Sequence, residues 1–179
     1  MSSNAIVGRV VLSNKSIIQN HHNYPAVNDM SEDEFWKLIG QLNWKRTGND
    51  DAVIRPVVKA LARLHEEQII AFDDLLAEKL HALDTERHAR EIGSEAFTGD
   101  RNHFSEDWFL YARCCVVANG KDFYETILHN PSEMPKDMEF EALLEIAARA
   151  YEEKTDQPYE HIPTINYETY SNLSGWPNA

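Results

Sequence analysis

Apolar side chains recur every three or four residues along most of this chain, and that spacing is typical of amphipathic helices. The clearest stripe runs from Glu66 to about Arg90 and consists of Ile69, Phe72, Leu76, Leu80 and Leu83. Ser31 stands three residues before Glu34, as in a capping box, and Asp137 stands just before a last apolar stripe. The pattern therefore predicts several helices, the last beginning at Asp137.

The segment Trp108–Ala118 differs from these stripes, because it is apolar around the whole circumference of a helix except for Arg113. A helix of this kind packs against neighbours on every side. We therefore expect an all-α fold, a compact multi-helix bundle around this buried central helix. An unpaired buried guanidinium is costly, so the fold must provide Arg113 with a carboxylate, with carbonyls or with a bound anion. We expect Asp73 or Glu141, beside apolar stripes on other helices, to be its partner.

The two ends of the chain do not follow the helical pattern. Residues 1–29 contain the β-branched run Ile6–Leu12, which predicts either a short β-hairpin or a loosely attached arm. Residues 30–179 are expected to form a single helical domain. Within it, residues 156–179 combine three prolines with large aromatic residues, and this composition predicts an extended tail packed on the bundle.

The charge balance narrows the classes of partner. Among 179 residues, 30 acidic side chains outnumber 17 Lys and Arg, which gives a net charge of -13. This charge disfavours binding to nucleic acid or to an anionic membrane and favours a basic protein partner. No apolar run approaches the roughly 20 residues of a membrane-spanning helix, and no signal-peptide pattern stands at the N-terminus, so we expect a cytoplasmic protein. The sequence does not indicate an oligomeric state.

One polar set has the residue types of a metal site. Asp74, His81, Asp84 and His88 fall within an arc of about 80° on one predicted helix. Carboxylate and imidazole groups at such spacing are able to bind a divalent metal. The alternative is a solvated polar face, because one helix rarely supplies a closed site and the chain has no HExxH pattern.

Other reactive groups give weaker indications. Cys115 with a histidine, or Ser105 with His103, would form a nucleophile and base, but thiols in an apolar helix are inert and Ser105 suits a helix cap. We therefore expect no catalytic residue and no cofactor. Five aromatic residues are expected mainly to pack, with a recognition surface as the alternative: Trp36, Trp44, Tyr167, Tyr170 and Trp176.

Several short motifs together resemble a bacterial family known as domain of unknown function 4240, from Ser31 to about Asn172. The matching residues are Glu34–Trp36, Ile69–Asp73, Phe109–Arg113, Val116–Lys121, Asp137–Leu144, Ala150–Thr155 and Tyr167–Asn172. The resemblance implies a small, mainly helical cytosolic domain. It implies no activity, substrate or catalytic residue, because the family has none established.

These observations favour a non-enzymatic protein-interaction module, which would neutralise a toxin or modulate a regulator. The acidic faces of the predicted helices, together with the missing catalytic constellation, support this expectation. The alternative is a metal-dependent hydrolase, or an enzyme that binds a small anion at Arg113.

Overall fold

The computed structural model of the protein describes residues 30–176, and these residues contain seven α-helices and no β-strand. The helices are α1 (Glu32–Ile39), α2 (Asp50–Leu61), α3 (Glu66–Leu83), α4 (Glu86–Ala89), α5 (Glu106–Ala118), α6 (Lys121–His129) and α7 (Ile146–Thr155). Short 3-10 helices occupy Trp44–Arg46, Arg101–His103, Pro131–Glu133, Glu141–Glu145 and Leu173–Gly175. The all-α prediction is confirmed for this range, and the predicted N-terminal hairpin lies outside it.

The caps of α1 and α5 follow from local sequence. The Ser31 hydroxyl accepts a hydrogen bond from the Glu34 N–H at 3.3 Å, and the Glu34 carboxylate accepts one from the Ser31 N–H at 2.9 Å. This is the predicted capping box. Ser105 caps α5, since its Oγ accepts a hydrogen bond from the Trp108 N–H at 3.2 Å.

Helix α5 is the centre of the bundle, as predicted. Every residue from Phe109 to Ala118 is buried except Tyr111, which is half-buried. Helices α3 and α6 and the 3-10 helix Glu141–Glu145 pack against it, while α7 packs on α2 and α3. The apolar circumference of α5 is therefore matched by neighbours on all sides.

Two predicted helix boundaries are wrong. Helix α3 ends at Leu83 rather than near Arg90, because Asp84 leaves the helical conformation at ψ 74° and a separate short helix follows. Helix α7 begins at Ile146 rather than at Asp137, whose φ of 53° is left-handed. The Asp137 carboxylate instead accepts hydrogen bonds from the Ser94 N–H and hydroxyl at 2.6 and 2.7 Å, which fixes a loop.

Residues 157–176, called the C-terminal segment below, follow α7 and contain one 3-10 turn. Their hydrogen bonds run largely to α3, to its C-cap Asp84, and to Glu106 and Arg113 of α5. We call residues 157–166 its outer half and residues 167–176 its inner half. Within the range that the structure describes, no helix is long and apolar enough to cross a membrane.

Candidate functional site: the buried charges under the C-terminal segment

Arg113 is fully buried and binds carbonyl and hydroxyl oxygens rather than a carboxylate. Its Nη1 donates to the Leu80 carbonyl at 2.9 Å and to the Tyr167 carbonyl at 2.8 Å. Its Nη2 donates to Thr169 Oγ1 at 3.1 Å, and that hydroxyl donates to the Glu106 carbonyl at 2.8 Å. The guanidinium therefore joins α3, α5 and the inner half of the C-terminal segment.

The remaining surroundings of Arg113 are apolar. Its Cζ lies 4.8 Å from the centre of the Phe109 ring, a cation–π distance. Among the described residues, its Nε has no hydrogen-bond partner. Burial lowers the pKa of Arg113, and the first of the charges that oppose this shift is Asp84.

Asp73 and Glu141, the partners expected from the sequence, do not bind Arg113. The Asp73 carboxylate accepts a hydrogen bond from the Tyr159 hydroxyl at 3.0 Å, and burial raises the pKa of Asp73. Glu141 is exposed and raises the pKa of Tyr111 by accepting a hydrogen bond from it. Both carboxylates flank apolar stripes as the pattern indicates, but Arg113 lies on the side of α5 that the C-terminal segment covers.

Asp84 is the second fully buried charge, and it binds the same half of the segment. Its Oδ1 accepts hydrogen bonds from the Tyr170 N–H at 3.2 Å and the Trp176 indole N–H at 2.8 Å. Its Oδ2 accepts one from the Asn172 N–H at 2.9 Å. A carboxylate is limited to accepting, so these donors satisfy it without a cation in direct contact.

Trp176 is the last residue of the inner half, and its ring lies in an aromatic pocket. Its centre lies 4.5 Å from that of Tyr170, 5.3 Å from that of Phe97, 6.0 Å from that of Phe109 and 6.3 Å from that of Phe104. These separations are typical of stabilising aromatic pairs. Trp176 is 4% exposed and acts as the apolar anchor of the segment.

Gly175 brings the segment backbone against the end of α3. A Cβ at this position would lie 2.6 Å from the Asp84 carbonyl oxygen, closer than Cβ atoms approach in proteins. Any larger residue would therefore displace the backbone beside Trp176. Tyr170 is held at a φ of 73°, which is strained for a residue with a side chain.

The outer half binds α3 through two partly exposed carboxylates. Asp74 Oδ1 accepts hydrogen bonds from the Thr164 N–H at 2.9 Å and from His161 Nε2 at 3.2 Å. Asp73 holds the Tyr159 hydroxyl, as described above. Between these contacts Ile162 is 84% exposed.

His81, Ser171 and Asp84 lie together but lack the proton arrangement of a catalytic triad. Ser171 Oγ is 3.2 Å from His81 Nδ1 and 3.3 Å from Asp84 Oδ2. However, His81 Nδ1 lies 2.8 Å from the Asn166 carbonyl, which only accepts, so Nδ1 carries the proton. A protonated Nδ1 is unable to act as the base for Ser171. The arrangement fixes the segment instead.

The four residues considered for a metal occupy separate hydrogen-bond arrangements. His88 is buried, its Nε2 donates to the Ile127 carbonyl at 3.1 Å, and burial lowers its pKa. Asp74, His81 and Asp84 each bind the C-terminal segment. In residues 30–176, no group of three or more His, Cys, Asp or Glu side chains is arranged to hold a metal. The polar face of α3 is covered by the segment, an outcome that neither sequence interpretation included.

The other residues that the sequence offered for catalysis or recognition mostly lie in the packed interior or pair with neighbours. Cys115 and its neighbour Cys114 are buried thiols whose pKa burial raises, while His103 pairs with Asp100 rather than with Ser105. Of the five aromatic residues, Trp36 and Trp176 are buried, Tyr167 and Tyr170 are half-buried, and Trp44 is 42% exposed.

Sequence reasoning missed the C-terminal segment as the partner of both buried charges. One signal pointed towards it, because the segment places polar residues between aromatic anchors from Tyr159 to Trp176. That alternation is typical of chain laid across a polar and apolar surface. It does not indicate which backbone groups meet which charge.

Comparison with known proteins identifies a family but no activity. A family model described as "Protein of unknown function (DUF4240)" matches residues 30–153, about two thirds of the chain. No curated protein and no solved structure matches the chain. The matched range contains both buried charges, while the residues of the inner half follow it.

Proposed function

The chain belongs to the DUF4240 family of proteins of unknown function, and we propose that it is a non-enzymatic protein-interaction module. Its recognition surface is the Ile162 loop, residues 160–165. One observation carries this proposal: Asp74 accepts hydrogen bonds from His161 and Thr164, on both sides of the exposed Ile162. The loop is therefore fixed on α3 while its apolar side chain points into solvent.

A fixed apolar side chain suits protein recognition for an entropic reason. Ordering a loop and its side chains on binding costs free energy, and a loop already held in place avoids part of that cost. A cleft of about 340 Å³ adjoins Ile162 and is lined by Pro163, Ile165 and Tyr167 among others. Ile162 thus provides an anchor and the cleft provides a complementary hollow.

The charge of the surrounding surface favours a basic partner. Glu160 is exposed within the loop and Glu168 is exposed beside it, and the chain carries a net charge of -13. Complementary charge accelerates association and makes binding depend on salt. Neutralising a basic toxin and modulating a basic regulator both require binding of this kind and no catalysis.

Affinity capture from the native cell lysate tests this function with a matched pair of variants. Ile162→Asp changes the proposed anchor, and Leu173→Asp changes a residue of similar exposure, 82% against 84%, outside the loop. We expect one basic protein to bind the wild type and L173D, to be released by salt, and to be lost with I162D. Equal capture by I162D and L173D would contradict the assignment of the loop.

Binding of a small anion is a second candidate function, favoured by a cleft of about 490 Å³ on the α4 side. Arg87 and Arg90 line it, together with Asn172 and Ser174 of the segment. Arg90 is engaged with Glu86, whereas Arg87 is exposed. Calorimetric titration with phosphate, compared between the wild type and Arg87→Ala, tests this candidate, and absence of heat in both excludes phosphate as the anion.

A further inference from the structure

The inner half of the C-terminal segment is bound in the way that a receptor binds an extended peptide. Arg113 donates to the carbonyl of Tyr167, and Asp84 accepts from the N–H groups of Tyr170 and Asn172. Three of the recognised groups therefore belong to the backbone. Side chains add the Thr169 hydroxyl as a contact of Arg113, and the Trp176 indole and the Ser171 hydroxyl as contacts of Asp84.

The surface that receives the inner half, called the groove below, consists of Asp84, Phe97, Phe104, Phe109 and Arg113. All five residues lie in the range 30–153 that defines the family, and the bound residues all follow that range. Both charges of the groove are fully buried with the segment in place. A groove with two buried charges needs an occupant, because uncovering them leaves strong donors and acceptors beside aromatic surface.

We propose that the groove is a peptide-binding site, and that it also accepts residues 167–176 of a second copy of this chain. The pattern it reads is a carbonyl at the first position, hydroxyls two and four residues later, N–H groups three and five residues later, and an aromatic ring nine residues later. Residues 167–176 carry this pattern, so a second copy offers the groove an identical set of contacts. The contacts of the groove do not involve the Ile162 loop.

The chain has the reach for such an exchange. Asp156 ends α7 at a left-handed φ of 56°, and Gln157 and Pro158 after it are exposed. The ten residues of the outer half span up to about 35 Å when extended, roughly the diameter of a small domain. Pivoting at Asp156 therefore lets the inner half reach a neighbouring groove. The chain's own segment competes with that of a second copy, at an effective concentration near millimolar. Exchange therefore requires that the contacts between a groove and its own segment be weakened.

Two complementary full-length variants test the exchange. The first, Arg113→Met, has a defective groove and an intact segment. The second, T169V/W176A, has an intact groove and a defective segment. In native mass spectrometry we expect each variant alone to be monomeric and their mixture to form a heterodimer.

A labelled peptide of residues 165–176 tests the groove separately. We expect its fluorescence anisotropy to rise with the T169V/W176A chain and to stay low with R113M. A peptide carrying Thr169→Val should bind about tenfold more weakly, the effect of losing about one buried hydrogen bond. A peptide with Leu173→Ala, a change at a residue that is 82% exposed, is the matched control and should bind unchanged.

Each remaining outcome decides the proposal. Peptide binding without a heterodimer would exclude the second copy as the source. No peptide binding by a folded variant would exclude the groove as a site. Where circular dichroism shows T169V/W176A to be unfolded, the milder Gly175→Ala chain replaces it, and unfolding of that chain as well would show that the segment is an inseparable part of the core.

Discussion

The two halves of the C-terminal segment are held by different chemistry, the inner half by α5 and the C-cap of α3 and the outer half by carboxylates of α3. Asp84 and Arg113 hold the inner half and are fully buried, and Thr169 within that half is 7% exposed. Asp73 and Asp74 hold the outer half and remain partly exposed, beside an Ile162 that is 84% exposed. Water replaces a lost partner at the exposed contacts but not at the buried ones. Similar hydrogen bonds therefore stabilise the inner half strongly and the outer half only weakly.

The largest expected effect follows from Asp84→Ala. It removes the acceptor of three N–H groups and the opposite charge with the largest effect on Arg113, so we expect a loss of about 3–5 kcal/mol in the free energy of unfolding. Urea titration followed by circular dichroism measures this loss. Asp74→Ala is the matched change in the outer half and should cost less than about 1 kcal/mol. Equal losses would show that the two halves do not differ.

Arg113→Met should have the next largest effect. The methionine fills part of the volume, but the Leu80 and Tyr167 carbonyls lose their donor, so we expect a loss of about 2–3 kcal/mol. Hydrogen exchange should also show faster exchange at the amides of residues 167–172. An unchanged free energy of unfolding would contradict a structural role for the guanidinium and would favour a ligand.

Thr169→Val in the inner half and Thr164→Val in the outer half compare the two halves at nearly constant side-chain volume. The hydroxyl accepts from Arg113 and donates to the Glu106 carbonyl, so its removal leaves two buried groups unpaired and should cost about 1–2 kcal/mol. Thr164→Val in the outer half removes an exposed contact of 3.4 Å to Asp74 and should cost less than about 0.5 kcal/mol. Thermal melts of both variants rank them, and a larger loss at Thr164 would reverse the comparison.

Asp73 gives the smallest effect, which depends on pH. Burial raises its pKa in the folded state, so its contribution to stability is fully present below the unfolded value near 3.8 and is lost as pH rises through the folded value. Asp73→Asn keeps an acceptor for Tyr159 and removes the charge, so it should slightly raise the melting temperature at pH 7 and leave it unchanged at pH 3. A lower melting temperature at pH 7 would show that the ionised carboxylate stabilises the outer half.

Local patterns were sufficient to predict much of the fold. The capping box at Ser31, the cap at Ser105 and the buried circumference of Trp108–Ala118 depend on residues within a few positions of one another. The C-terminal end of α3 and the start of α7 could not be predicted in the same way. Asp84 leaves the helix where its carboxylate binds the distant segment, and Asp137 adopts a left-handed conformation where it binds Ser94.

The site was predictable only in part. Arg113 shows which part depends on the sequence and which on the tertiary structure. The sequence alone determined that this residue lies in a buried helix and needs partners, because periodicity and the cost of an unpaired charge are local properties. The tertiary structure decided the partners, which stand 33, 54 and 56 residues away at Leu80, Tyr167 and Thr169. Two of the three accept through backbone carbonyls, a group that every residue carries, so no side-chain pattern distinguishes them. Only the path of the C-terminal segment across α3 and α5 brings those oxygens to the guanidinium.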